Sequence, residues 1–254
     1  MTANLSYSII TLLTLVCALT YAFEIIFGLA GTIMMLLIMS YFVDTKTLVV
    51  YSTLPQLMVA GIGLWRSPNT VEFRFLAGML GFALLGSLVG IYLFYLIPLK
   101  LFEILLAIAI TLFGAYLVSA QRRMRFGRLL RALLDFTAGL SQQLFGISGP
   151  IAMTRIMGSV DGKTAIRNYA LAFFLSLNLL RLASYLWQSS FSERPALLND
   201  SILLAMAVSA PVLLVTLLAA NHLHFRVNEN VFKKTVSWII LLGGLQLLYQ
   251  AIYS

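Results

Sequence analysis

The sequence predicts an all-α polytopic membrane protein of two related halves. Each half has about four transmembrane segments, the first of them broken at a Gly-rich motif. Three observations predict this. Of the 254 residues, 61% are hydrophobic and 10% charged, where a soluble domain carries about 25% charged residues; the mean hydropathy is +0.95. Apolar runs near the roughly 20 residues needed to cross a bilayer recur along the whole chain. One such run is interrupted by Phe145-Gly146-Ile147-Ser148-Gly149-Pro150, and the first run by a fainter copy, Phe27-Gly28-Leu29-Ala30-Gly31-Thr32.

The net charge of +8 fits a membrane protein whose cytoplasmic loops collect Lys and Arg. No basic patch interleaved with aromatics points to nucleic acid. Cys17 stands alone, so no intrachain disulfide forms. No residue set has metal-ligand spacing, and His222 and His224 read as interfacial. No cofactor is expected. The N-terminal run lacks a basic start and a small-residue cleavage site, which predicts a retained membrane segment.

In chain order, the first run extends from about Leu5 to Val43. It holds Glu24 and the Gly28/Gly31 pair, and is too long for one straight crossing, which predicts a broken helix or a helix with a re-entrant piece. Leu48 to Trp65 follows, with Pro55 and Gln56 inside it. Phe75 to Pro98 carries Gly86 and Gly90 at GxxxG spacing, a close-packing signal. Leu101 to Ala120 closes a first repeat, residues 1–120. An Arg-rich link, 121–131, contains Arg122, Arg123, Arg125, Arg128 and Arg131 and reads as cytoplasmic. The second repeat, 132–254, starts with the broken run Leu133 to Val160. Ala165 to Trp187, Ile202 to Ala220 and Val231 to Ile252 complete it. Asp44, Lys46 and Thr47 align with Asp161, Lys163 and Thr164 across the halves. Inverted and parallel repeats both stay open. Eight crossings with the Arg-rich link inside place both termini inside, although the remaining loop charges look evenly split.

A break at membrane depth must be buried in protein or line a wet cavity. Pro150 suits the first turn of a new helix, and Ser148 or Gly149 suits its N-cap. The freed N–H groups of Ile151, Ala152 and Met153 then favour an anion. The candidate binding residues are Glu24, Gly28, Gly31, Thr32, Gln142, Gly146, Ser148, Gly149, Pro150 and Arg181, with Gln56, Arg155 and Asn178 as secondary candidates. Arg155 and Arg181 suit an oxyanion. Glu24 is expected to pair with one of these arginines or to carry a coupling proton. Asp135 and Arg167 read as structural. Ser148 has no His or Lys partner in the apolar runs, so no catalytic residue is expected.

The broken segments and Phe145-Gly146-Ile147-Ser148-Gly149-Pro150, continued by Asp161-Gly162-Lys163 and Arg167, resemble the TauE/SafE family of sulfite and organosulfonate permeases. The first-half motif departs from the family pattern, with Gly28-Leu29-Ala30-Gly31 in place of consecutive glycines and no later proline. The resemblance implies a multi-pass protein of the bacterial inner membrane that carries sulfite or an organosulfur anion such as a sulfonate. The residues alone show an anion-compatible transporter, with proton coupling and homo-oligomerisation left open. An anion channel or a non-transporting membrane partner subunit is the alternative.

Overall fold

The computed structural model describes residues 5–27, 30–65, 71–119, 126–191, 196–223 and 229–253. Among these, all regular structure is helical: α1 (Tyr7–Phe27), α2 (Gly31–Met39), α3 (Thr45–Tyr51), α4 (Thr53–Trp65), α5 (Phe73–Leu96), α6 (Leu99–Ser119), α7 (Arg128–Phe145), α8 (Gly149–Met157), α9 (Lys163–Phe191), α10 (Asp200–Leu223) and α11 (Glu229–Tyr253). Among the described residues, six helical stretches are long and apolar enough to cross a membrane: Tyr7–Ile26, Thr45–Trp65, Phe73–Leu96, Leu99–Ser119, Thr164–Ser189 and Asp200–His222. The chain is a polytopic membrane protein. Many leucines on the outer helix faces are exposed, as a lipid-facing surface requires.

α3 and α4 act as one rod. Ser52 N–H donates to Leu48 O at 2.9 Å and Gln56 N–H to Ser52 O at 3.1 Å. Pro55 has no N–H to give Tyr51, which accounts for the interruption between them.

Two short helices fold back on the long ones that precede them. Gly31 at the start of α2 lies so close to α1 that a Cβ there would sit 2.6 Å from Glu24 Oε2 and 2.7 Å from Thr20 O. Arg155 of α8 pairs with Asp135 of α7 at 3.2 Å. That contact is out of reach if α8 continues along the α7 axis, because twenty residues of helix rise about 30 Å. Of the two forms expected for the long interrupted runs, the structure therefore has hairpins.

The hairpins enter the bundle from opposite ends. Lys46 Nζ, at the start of α3, donates to Phe94 O at 2.8 Å and Ile97 O at 2.5 Å, so the α1–α2 hairpin opens where α5 ends. α7 runs parallel to α5. Cβ atoms built on Gly86 and Gly90 would meet Phe136 O at 1.9 Å and Leu140 O at 2.6 Å, so α7 starts where α5 starts. α6 and α11 pack antiparallel, with Gly114 against Leu241 and Gly244 against Thr111. α9 packs against α4, with Gly63 near the end of α4 lying against Leu171.

Candidate functional site: a polar cavity between two helix tips

The second tip is built by local backbone rules. α7 ends at Gly146, whose φ of 73° is left-handed, a conformation glycine adopts at little cost. Gly146 N–H donates to Gln142 O at 2.9 Å. A side chain at Gly146 would also collide with Arg181, whose Nη1 lies 2.8 Å from an added Cβ. Ser148 is the N-cap of α8 and makes no side-chain cap bond, and Pro150 follows in the first turn. Ala152 N–H already donates to Ser148 O at 2.9 Å. Of the N–H groups expected to be free, Ala152 is therefore satisfied and Met153, four residues past Gly149, falls within the ladder of α8; Ile151 lies ahead of that ladder, as does Gly149, which was not among those expected.

The first tip differs. Ala30 is the N-cap of α2 with φ 84°, the non-glycine residue at positive φ among the described residues. Thr32 N–H donates to Glu24 Oε2 at 3.1 Å. The partial positive charge at the start of α2 is thus met by a carboxylate of the protein itself.

Between the tips lies a cavity of about 30 Å³, lined by Glu24, Ala30, Thr32, Gln56, Gln142, the stretch from Gly146 to Pro150, and the apolar Ile33 and Phe174. About 10–15 Å³ suffices for one water, so the space has room for about two waters. A continuous hydrogen-bond network surrounds it. Tyr21 Oη lies 3.0 Å from Thr32 Oγ1. Gln56 Nε2 donates to Thr32 Oγ1 at 2.5 Å and to Gly146 O at 2.8 Å. Gln142 Nε2 donates to Gln56 Oε1 at 2.7 Å and to Asn178 Oδ1 at 3.1 Å, and Ser148 Oγ donates to Gln142 Oε1 at 2.6 Å.

Arg181 lies directly behind this network and is completely buried. It donates to Gln142 O at 3.0 Å, Ser52 Oγ at 3.3 Å and Gln56 Oε1 at 3.3 Å, all uncharged acceptors. Its Nε has no partner.

The chain belongs to the sulfite exporter TauE/SafE family. The family match covers residues 13–247. No curated protein and no solved structure matches the chain.

Within this TauE/SafE chain, the structure gathers most of the candidate residues and separates a few. Glu24, Thr32, Gln56, Gln142, Gly146, Ser148, Gly149 and Pro150 line one cavity. Asn178 and Arg181 sit one hydrogen bond behind it. Gly31 does not line it but lets α2 approach Glu24. Gly28 lies outside the described residues. Arg155 is placed elsewhere: it pairs with Asp135, donates to Ser159 Oγ at 2.6 Å and covers the Phe75 ring at 5.2 Å. The expected pairing of Glu24 with an arginine is corrected accordingly, since Glu24 caps α2 and both arginines have other partners. Arg167 holds Ile25 O at 3.1 Å and Asn221 Oδ1 at 2.7 Å, in keeping with a structural role.

Tyr21 and Ser52 were missed by sequence reasoning. Each stands about one turn before a candidate, Glu24 and Gln56 respectively, and that spacing on one helix face was the available signal. Ile33 and Phe174 carried no signal, because an apolar residue in an apolar run is indistinguishable from its neighbours.

Proposed function

We propose that this chain is a secondary transporter for a small oxyanion, sulfite or an organosulfur anion such as a sulfonate, seated between the two helix tips. The observation that carries this reading is the cavity at the start of α8, backed by Arg181, a buried cation whose partners are all uncharged. Isolating a cation from water costs several kcal/mol unless a counter-charge is supplied. A passing anion supplies it. In this reading Gly149 and Ile151 N–H face the oxyanion, Ser148 Oγ stays committed to Gln142 Oε1, and Arg181 supplies charge through the Gly146 backbone. Glu24 stands opposite as the resident negative charge, so a singly charged anion is favoured.

Residues 1–120 and 132–254 then act as two halves of inverted orientation, consistent with hairpins that enter from opposite ends and antiparallel α6 and α11. Rocking of such halves about a central site gives alternating access. The orientation follows from charge. At the end where α5 and α7 begin, the helix ends and links carry Arg66, Arg74, Arg122, Arg123, Arg125, Arg128, Arg131 and Arg226. The helix ends and links at the other end carry only Lys46, Lys100 and Arg194. The positive-inside rule puts the first end in the cytoplasm, and the α1–α2 hairpin then opens outward, in a bacterial inner membrane. This differs from the eight-crossing expectation, because each hairpin returns to the side it came from.

The test is transport by purified protein in liposomes. Radiolabelled sulfite or an alkyl sulfonate is expected to exchange across the vesicle wall, with saturation and with competition by the unlabelled anion. Flux no greater than in empty vesicles for every oxyanion in a broad panel overturns the reading. Saturable exchange at carrier rates, without unitary currents, separates a carrier from a channel.

A further inference from the structure

We propose that Gln56 is the clasp that holds the two helix tips together, a positioning residue and not a ligand of the anion. Its side-chain amide has two N–H donors and an oxygen that accepts two bonds. All four positions are taken. Nε2 donates to Thr32 Oγ1 at 2.5 Å, in the first tip, and to Gly146 O at 2.8 Å, in the second. Oε1 accepts from Gln142 Nε2 at 2.7 Å, on α7, and from Arg181 Nη2 at 3.3 Å, on α9.

Three features make this a distinct role. The residues clasped come from α2, the α7–α8 tip and α9, so one side chain on α4 ties both hairpins to the central helix. Gln56 is 5% exposed and reaches the cavity with its hydrogen-bonding capacity already used. A ligand can engage it only after one of the four bonds opens. The bonds are also directional: the donors go to the tips, and the acceptor goes to α7 and α9. A group that accepts but cannot donate therefore separates the two sets.

Consequently, the tips move as one unit while the clasp is closed, and separately once it opens. In the transport cycle, which rests on the oxyanion reading above, the side chain must release one tip before the cavity can open toward Arg181.

The test compares the full-length protein with Gln56→Leu and Gln56→Glu, by hydrogen exchange of peptides covering residues 30–36 and 142–150 and by the thermal shift that methanesulfonate produces. Gln56→Leu is expected to speed exchange in both peptides about tenfold, the scale of one to two net hydrogen bonds, with α6 and α11 unchanged, and to abolish the methanesulfonate shift. Gln56→Glu keeps the two acceptor bonds and loses the donors. It is expected to speed exchange at 30–36 while leaving the Gln142 end of the second peptide close to wild type. Unchanged exchange at 30–36 in either variant, or a change confined to one tip in Gln56→Leu, overturns the clasp. If exchange behaves as expected but wild-type protein shows no shift with any oxyanion, the clasp stands and the oxyanion reading falls.

Discussion

Arg181→Met separates a charge that serves the anion from a charge that holds the fold. Every acceptor that Arg181 leaves behind keeps another bond. Gln142 O still accepts from Gly146 N–H at 2.9 Å. Gln56 Oε1 still accepts from Gln142 Nε2 at 2.7 Å. Ser52 Oγ still donates to Val49 O at 2.7 Å. The substitution therefore orphans no partner, and it removes a guanidinium whose burial is itself costly. Breaking a buried charge pair ordinarily costs about 3–5 kcal/mol because the remaining charge is stranded; no charge is stranded here. The expected change in stability is below about 2 kcal/mol, mostly from imperfect filling by the shorter methionine.

The loss of binding should be larger in ratio. If the anion sits about 7 Å from the guanidinium, across the Gly146 backbone, at an effective dielectric near 20, the attraction is about 2.4 kcal/mol. That corresponds to about a 50-fold weaker dissociation constant. The assay is thermal denaturation of the detergent-solubilised protein across a sulfite or methanesulfonate titration. A melting temperature near wild type, with a titration midpoint displaced by one to two decades, is expected. A collapse of the folded state with unchanged binding in the surviving fraction would refute the reasoning and make Arg181 a structural residue.

Three further outcomes follow from the same geometry. Gly31→Ala forces a Cβ to 2.7 Å from Thr20 O and 2.6 Å from Glu24 Oε2; overpacking of this kind costs about 1–3 kcal/mol, whereas Gly61→Ala, with nothing within 4 Å, should gain about 0.5–1 kcal/mol of helix propensity, both read as thermal shifts. Arg155→Met strands the Asp135 carboxylate and should cost about 3–5 kcal/mol, while adding Asp135→Asn recovers part of the loss and leaves sulfite flux per folded molecule unchanged; a double variant no better than the single one contradicts the pairing. Glu24→Gln retains an oxygen for Thr32 N–H and removes the resident negative charge, so anion affinity should rise and exchange should persist, while acceleration of flux by an imposed pH gradient disappears; flux that still follows the gradient removes Glu24 from the coupling path.

The membrane class was legible because it rests on composition, which survives any rearrangement in space. The ends of α1 and α7 at Phe27 and Phe145 were legible too, since glycines and a proline in an apolar run conflict with helix propensity. The direction the chain takes after each interruption was not. A straight continuation and a fold-back have the same local sequence, and the contact that decides between them, Asp135 with Arg155, joins positions twenty apart. Arg155 and Arg181 show the same limit. Both are arginines in mainly apolar surroundings, and residue type alone offered both to the anion. One has a carboxylate beside it and the other does not, a difference set by the packing of α7 against α8 and α9. Gln56 stood only as a secondary binding candidate because none of its four partners is near it in sequence.

Each tip creates two opposite partial charges, a negative helix end and a positive helix start. The two negative ends are met from one helix. Arg167 donates to Ile25 O near the end of α1, and Arg181 to Gln142 O near the end of α7. These residues are fourteen apart on α9, a rise of about 21 Å, so a single rigid helix holds both tips by their C-terminal carbonyls. The positive starts are treated unequally. α2 receives the Glu24 carboxylate, while α8 has a serine cap that donates its hydroxyl to Gln142 and makes no cap bond. Three of the four helix ends are thus matched by the protein's own charges and one is left for an outside anion. That asymmetry argues for a single binding place per chain, at α8, and it makes α9 the part whose tilt would move both tips at once.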